Sequence, residues 1–267
     1  MSPGTPTPPG AGARVRPQRS SAAAVAAAVV AIGPAALALL LLAGCGPRTA
    51  GEQERAGPPE PPEGLEYVPP EPGSYELPPI QPAADGEVID AGGSRHRLFD
   101  YLGDRYVVLS FIYTRCGDAR GCPLATGVLQ KVHRRFADHP DLADRVRLVT
   151  LSFDPARDRP EVMQRYAAVR GVDAGAEADA DAWAFLTTAS AEGLDPILEG
   201  YGQSIVPELD ADGHPTGQFT HVLKVFLIDP ERRVRNIYST SFLHPALVIN
   251  DLETLLLEES SRAPKLS

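Results

Sequence analysis

The run YVVLSFIYTRCGDARGCPLAT, residues 106–126, decides how this chain folds. Tyr106 to Tyr113 is apolar and β-rich almost without a break, which marks a strand buried on both faces. The chain then turns polar, separates Cys116 from Cys122 by five residues, and reaches Pro123, which suits the first turn of a helix. Leu124, Val128, Leu129, Val132 and Phe136 follow at helical spacing. The stretch therefore reads as a strand entering a helix through a turn that carries two thiols.

Working outward, Val146 to Phe153 is a second continuous apolar run. Strand, helix and strand then form a right-handed crossover with parallel strands. Pro160 to Arg170 has a helix pattern headed by proline, residues 171–182 read as a loop, and Trp183 to Thr187 reads as a short strand. Ala191 to Gly200 has a helical pattern that Pro196 interrupts. Upstream, Glu87 to Asp90 and Ser94 to Leu98 flank Gly92-Gly93 as a hairpin. Downstream, His221 to Asp229 and Val234 to Tyr238 flank Pro230-Glu231-Arg232-Arg233 as a second hairpin, and Leu247 to Glu259 closes the chain as an amphipathic helix. The expected class is α/β, a thioredoxin-like three-layer fold with a mixed central sheet, an N-terminal hairpin and flanking helices.

The 267 residues carry a net charge of -10, with no long basic run, which gives no reason to propose a nucleic-acid partner. Residues 1–20 contain Arg14, Arg16 and Arg19 and no acid; residues 21–43 are almost wholly apolar and lead to Leu42-Ala43-Gly44-Cys45. A basic start, an apolar core and small residues before a cut site describe an export signal. The ending looks like a bacterial lipobox, which would make Cys45 the lipidated N-terminus. An uncleaved transmembrane anchor is the alternative, since the apolar run is long enough to span a bilayer. Either way the remainder is expected outside the cytoplasm, membrane-anchored. The expected organisation is a lipoprotein signal segment over residues 1–45, a proline-rich spacer over 46–83, one domain over 84–260 and a short tail over 261–267.

Cys116 and Cys122 fall at the C-terminal end of a buried strand, where α/β sheets gather ligands and catalytic groups. Cys122 also stands at a helix N-terminus, where the helix dipole lowers a thiol pKa. A structural disulfide is the competing reading for an exported pair, stabilising by about 2 kcal/mol on the chain-entropy estimate. Spacing alone does not separate the two, and the strand-to-helix position favours function.

Phe111-Ile112-Tyr113-Thr114-Arg115-Cys116 with Cys122-Pro123, then Leu151-Ser152-Phe153-Asp154-Pro155, then Thr220-His221 before Val225 to Pro230, resemble the Sco/SenC family of copper-binding assembly proteins. The resemblance runs from about Ser74 to the final helix. It implies a thioredoxin fold in which Cys116, Cys122 and His221 bind a copper ion. It also implies a chaperone that delivers copper to the dinuclear site of cytochrome c oxidase, or to another copper protein. The alternative role is a thiol-disulfide oxidoreductase in which Cys116 and Cys122 keep partner cysteines reduced for metallation. The family usually has three residues between its cysteines where this chain has five, and Gly117 and Gly121 offer places for the extra length to bulge.

Two thiolates and an imidazole are a soft, three-coordinate set suited to copper, whereas structural zinc calls for a fourth protein ligand. His221 opens a buried-looking strand, while His214, in Asp212-Gly213-His214-Pro215, is a rival on loop position. His96 sits in a hairpin, His133 and His139 lie on or past a helix, and His244 precedes Pro245. Asp154 and Asp158 are expected to shape the turn or cap the next helix. Asp118 and Arg120 are read as solvated residues of the cysteine loop. Met163, alone in the expected domain, argues against a methionine-lined copper store.

Overall fold

A computed structural model describes residues 60–174 and 181–262. Its elements, in chain order, are β1 (Gln81–Pro82), β2 (Glu87–Asp90), β3 (Arg95–Arg97), a 3-10 turn (Leu98–Tyr101) and β4 (Tyr106–Ile112). Then come α1 (Cys122–Arg135), α2 (Pro140–Arg145), β5 (Val146–Ser152), α3 (Pro160–Ala168), β6 (Trp183–Thr187) and α4 (Ala191–Gly200). The chain ends with β7 (Ile205–Leu209), β8 (Pro215–His221), β9 (Val225–Ile228), β10 (Arg233–Tyr238) and α5 (Pro245–Arg262). The main sheet has the order β1-β10-β9-β4-β5-β6-β2-β3. β4 is parallel to β5, and β5 to β6, while β9 runs antiparallel to β4. This is the expected mixed sheet with flanking helices.

β4 and β5 are buried at every residue, which is why their sequences are continuous apolar runs rather than alternating ones. Within this core the Trp183 indole is paired, its Nε1 donating to Thr150 Oγ1 at 3.0 Å. Pro196 does not prevent α4, because it lies on the exposed face beside solvated Glu192, whose carbonyl would otherwise bond the missing amide. No helix among the described residues is long and apolar enough to cross a membrane.

Three expectations change. The strand expected from His221 to Asp229 divides: His221 closes β8, which pairs only with β7 in a separate two-stranded sheet, and β9 begins at Val225. Buried Leu223 lies in the short crossing between the sheets, and Gln203 Nε2 fixes that crossing by donating to the Val222 carbonyl at 2.9 Å. The second change is α2, too short at six residues to show helical periodicity.

The third concerns the proline-rich stretch, expected to stand off as a spacer up to residue 83. Its described part lies along the domain. Proline leaves the carbonyls of an extended chain without internal partners, and the domain supplies donors for them. Arg235 Nε donates to the Leu77 carbonyl at 2.5 Å, Asn250 Nδ2 to that of Pro70, and His244 Nε2 lies 3.0 Å from that of Glu63. Tyr75 donates its hydroxyl to Asp251 at 2.6 Å, and β1 pairs with β10. Asp251, buried, also accepts from Asn236 and Tyr238, so one carboxylate fastens this segment, β10 and α5 together.

Candidate metal centre

Parallel β4 and β5 end side by side, and the chain leaving β4 makes two successive turns before α1. In the first, the Cys116 amide donates to the Tyr113 carbonyl at 3.3 Å; in the second, the Gly121 amide donates to the Asp118 carbonyl at 2.9 Å. The Asp118 carboxylate closes the second turn by accepting from the Arg120 amide at 2.9 Å. The additional residues between the cysteines are thus taken up by a local turn, and the sulfurs stay together. Gly121 stands at a tight approach, since a Cβ there would lie 3.2 Å from Cys116 Sγ and 3.3 Å from the Asp118 carbonyl oxygen and would press on both. Gly117 has open space around it and is not so constrained.

Asp158 braces the stem of this loop. Its carboxylate accepts from the Thr114 amide at 2.9 Å, from the Thr114 hydroxyl, and from the Ser152 hydroxyl at 2.6 Å. Asp154 shapes the turn after β5, its carbonyl accepting from the Arg157 and Asp158 amides at 3.0 and 2.8 Å. Neither aspartate caps α3, whose N-cap is Arg159 with no side-chain hydrogen bond.

Cys122 is the first residue of α1 and is 1% exposed; Cys116 is partly exposed, and both thiols are free. His221 comes from the opposite side, at the end of β8, with Nε2 at 3.8 Å from Cys122 Sγ. Its ring stands edge-on to Phe153, centroids 4.9 Å apart, and to Tyr113 at 6.2 Å. Phe219, on the same face of β8 two residues earlier, packs against Tyr113 at 5.2 Å and Phe153 at 5.5 Å. Tyr113 completes the latch by donating to Gln218 Oε1 at 3.0 Å.

One ligand atom from each of Cys116, Cys122 and His221 lies within 4.8 Å of the others. Donors about 2.0 to 2.3 Å from a shared ion at trigonal angles stand about 4 Å apart, so the arrangement fits one ion with modest closure. It is the one such group of His, Cys, Asp or Glu among the described residues. Burial, then the neighbouring Cys116 sulfur, pushes the Cys122 thiol pKa well up, outweighing the lowering expected from its helix position. Burial holds the His221 imidazole below its usual value, which keeps it neutral with a lone pair to offer at neutral pH. A cavity of about 380 Å³, lined by Tyr113, Cys116, Asp118, Glu208, His221 and Thr240 among others, opens onto Cys116 and His221, with Cys122 buried behind them.

The other candidates lie elsewhere. His214 is exposed at the β7–β8 turn, 3.7 Å from Asp210. His96 pairs with Asp90 at 3.0 Å, His133 packs against Trp183, and His139 precedes α2. Cys45 lies outside the described residues. Sequence reasoning missed Phe219, Gln218 and the bracing role of Asp158. The Phe219-x-His221 alternation was the one signal for a β8 face, and it is lost when the strand is started at His221.

Residues 85–257 match the sequence profile of the SCO1/SenC family. No curated protein gives a match to the chain. Among solved structures, the chain is similar to the apo Sco1 protein of Thermus thermophilus, with 25% identity, covering 68% of this chain and 95% of that one, TM-score 0.53. It is similar to a SCO1/SenC family lipoprotein of Bacillus anthracis, with 22% identity, 68% and 99% coverage and a TM-score of 0.54. A third is Arabidopsis thaliana ScoI solved with copper bound, with 18% identity, 66% and 98% coverage and a TM-score of 0.51.

Proposed function

Since this chain belongs to the SCO1/SenC family, we propose that it is an extracytoplasmic copper chaperone, held to the membrane through a lipid on Cys45, that delivers copper to the dinuclear site of cytochrome c oxidase. The observation that carries the reading is the convergence of Cys116, Cys122 and His221 within 4.8 Å. Two thiols and one imidazole prefer a soft ion, and three donors without a fourth leave an acceptor's ligand room to enter. The relative solved with copper bound supports the same cargo.

In this reading the chain acts through its own groups. Cys116 and Cys122 lose their protons as the ion binds, which is how a buried thiol with a raised pKa is brought to thiolate. His221 gives the lone pair of Nε2, the atom facing Cys122. Phe153, Phe219 and Tyr113 fix the ring, and Asp158 fixes the loop. Anaerobic titration of the reduced protein with copper(I) tests the function. One equivalent is expected for the wild type, and His221→Ala should weaken binding by about 100-fold or more. A wild type that binds no copper, or a variant that binds as tightly, overturns it.

The adjacent free sulfurs also support thiol-disulfide exchange. Cys116, the more exposed, would attack a partner's disulfide, and Cys122 would then displace the reduced partner. The chain's two thiols become a disulfide while the partner's disulfide gains two electrons and two protons. This reading needs the cysteines and not His221, so His221→Ala separates the two.

A further inference from the structure

One short turn links the metal cavity to a second cavity, since Thr240 lines the first and Phe242 the second. This one is about 290 Å³ and lies between the docked proline-rich segment and the end of β10, with Tyr67, Pro70, Phe242 and Leu247 on its apolar side and Asn250 and Asp251 on its polar side. Phe242 is 58% exposed and Tyr67 43%. The turn Ser239–Phe242, closed by the Phe242 amide on the Ser239 carbonyl at 2.9 Å, puts Thr240 in the metal cavity and Phe242 on the apolar side of the second. Large exposed apolar side chains gathered at one place mark an interaction surface.

The charge on the docked segment is one-sided. Glu63, Glu66 and Glu71 are exposed on the same segment, immediately around Tyr67 and Pro70, and no Lys or Arg occurs between Arg55 and Arg95. None of the three glutamates is in an ion pair among the described residues. Such a rim repels an anionic bilayer and attracts a basic protein surface. Transfer of the ion requires an acceptor's ligand to come within about 2.3 Å of it, so the acceptor must cover the mouth of the metal cavity and reach the surface beside it.

We infer that the Tyr67–Phe242 face docks the metal-accepting protein, which offers an apolar side chain to the cavity and a lysine- or arginine-rich rim to Glu63, Glu66 and Glu71. The identity of that acceptor rests on the copper reading above, and the probe is accordingly the apo copper-site domain of the oxidase subunit. Its affinity for the full chain in detergent is measured by calorimetry at low and high salt, with copper stoichiometry determined on the same samples. Phe242→Asp is expected to raise Kd by about tenfold or more, as is Tyr67→Ser. Replacing the three glutamates by glutamine should remove most of the salt dependence. Copper stoichiometry should stay at the wild-type value in all of them.

Affinities within about twofold of wild type for all three variants overturn the inference, as does a wild type that forms no complex. If Phe242→Asp weakens binding to vesicles of phosphatidylcholine and phosphatidylglycerol and leaves the acceptor's Kd unchanged, the face belongs to lipid and the inference fails. A wild type that docks normally and binds no copper overturns the copper function and leaves the docking face standing.

Discussion

Asp158 holds no metal ligand position, yet it fixes the residue from which the cysteine loop departs. It is 1% exposed, and its three donors come from Thr114 and Ser152. Replacement by alanine leaves the buried Ser152 hydroxyl and the half-buried Thr114 amide and hydroxyl without their acceptor, and the expected cost is about 3 kcal/mol, read as a fall in the urea midpoint. Gly121→Ala acts differently: the new methyl crowds Cys116 Sγ, so copper affinity should drop about tenfold while the unfolding midpoint hardly moves. Unchanged affinity would show that the loop absorbs the shift. At this scale the two thiols were legible by their chemistry and position, whereas His221 was picked out from six histidines by the family resemblance and not by imidazole chemistry. The supports were not legible. Asp158 looks like any turn aspartate until Thr114 and Ser152 are brought beside it by parallel strands far apart in sequence.

The element that matters most for the site is the β7–β8 hairpin, which belongs to neither face of the main sheet. Its residues are largely exposed, so it lacks the apolar alternation by which a strand is recognised, and Pro207 adds a further contrary signal. The hairpin brings in His221, and Phe219 seats it between Tyr113 and Phe153. Phe219→Ala should therefore accelerate amide exchange across β7 and β8 and weaken copper binding by about tenfold, with exchange in β4 and β5 unaffected. Slower exchange confined to the hairpin on adding copper would be the reciprocal sign. The central strands were readable because burial on both faces writes an unmistakable run; the hairpin was not, because little of it is buried.

For the molecule as a whole, the proline-rich segment is the main departure from what composition implies. Low apolar content argues against independent folding, and that argument stands, but it does not exclude docking onto a finished domain through carbonyls and one phenol. Burial, and then the Asp251 carboxylate, push the Tyr75 phenol up to about 12 from its ordinary 10.0. Because the folded value lies above the unfolded one, this contribution is fully present below pH 10 and is lost as pH rises through 12. Raising the pH through that window should expose residues 63–82 to protease before the domain itself unfolds, and Tyr75→Phe should remove the pH-dependent step. Release at a constant rate across the window would show that the phenol is not what holds the segment.

Docking also sets a ceiling on where the protein can operate. With Cys45 as the proposed anchor, residues 46–62 span at most about 60 Å when fully extended, whereas a spacer free to residue 83 would span about 130 Å. A shorter leash confines the domain to a thinner layer above the bilayer, which raises its local concentration for anything standing in that layer. An acceptor whose site rises above the ceiling is out of range, whatever its affinity.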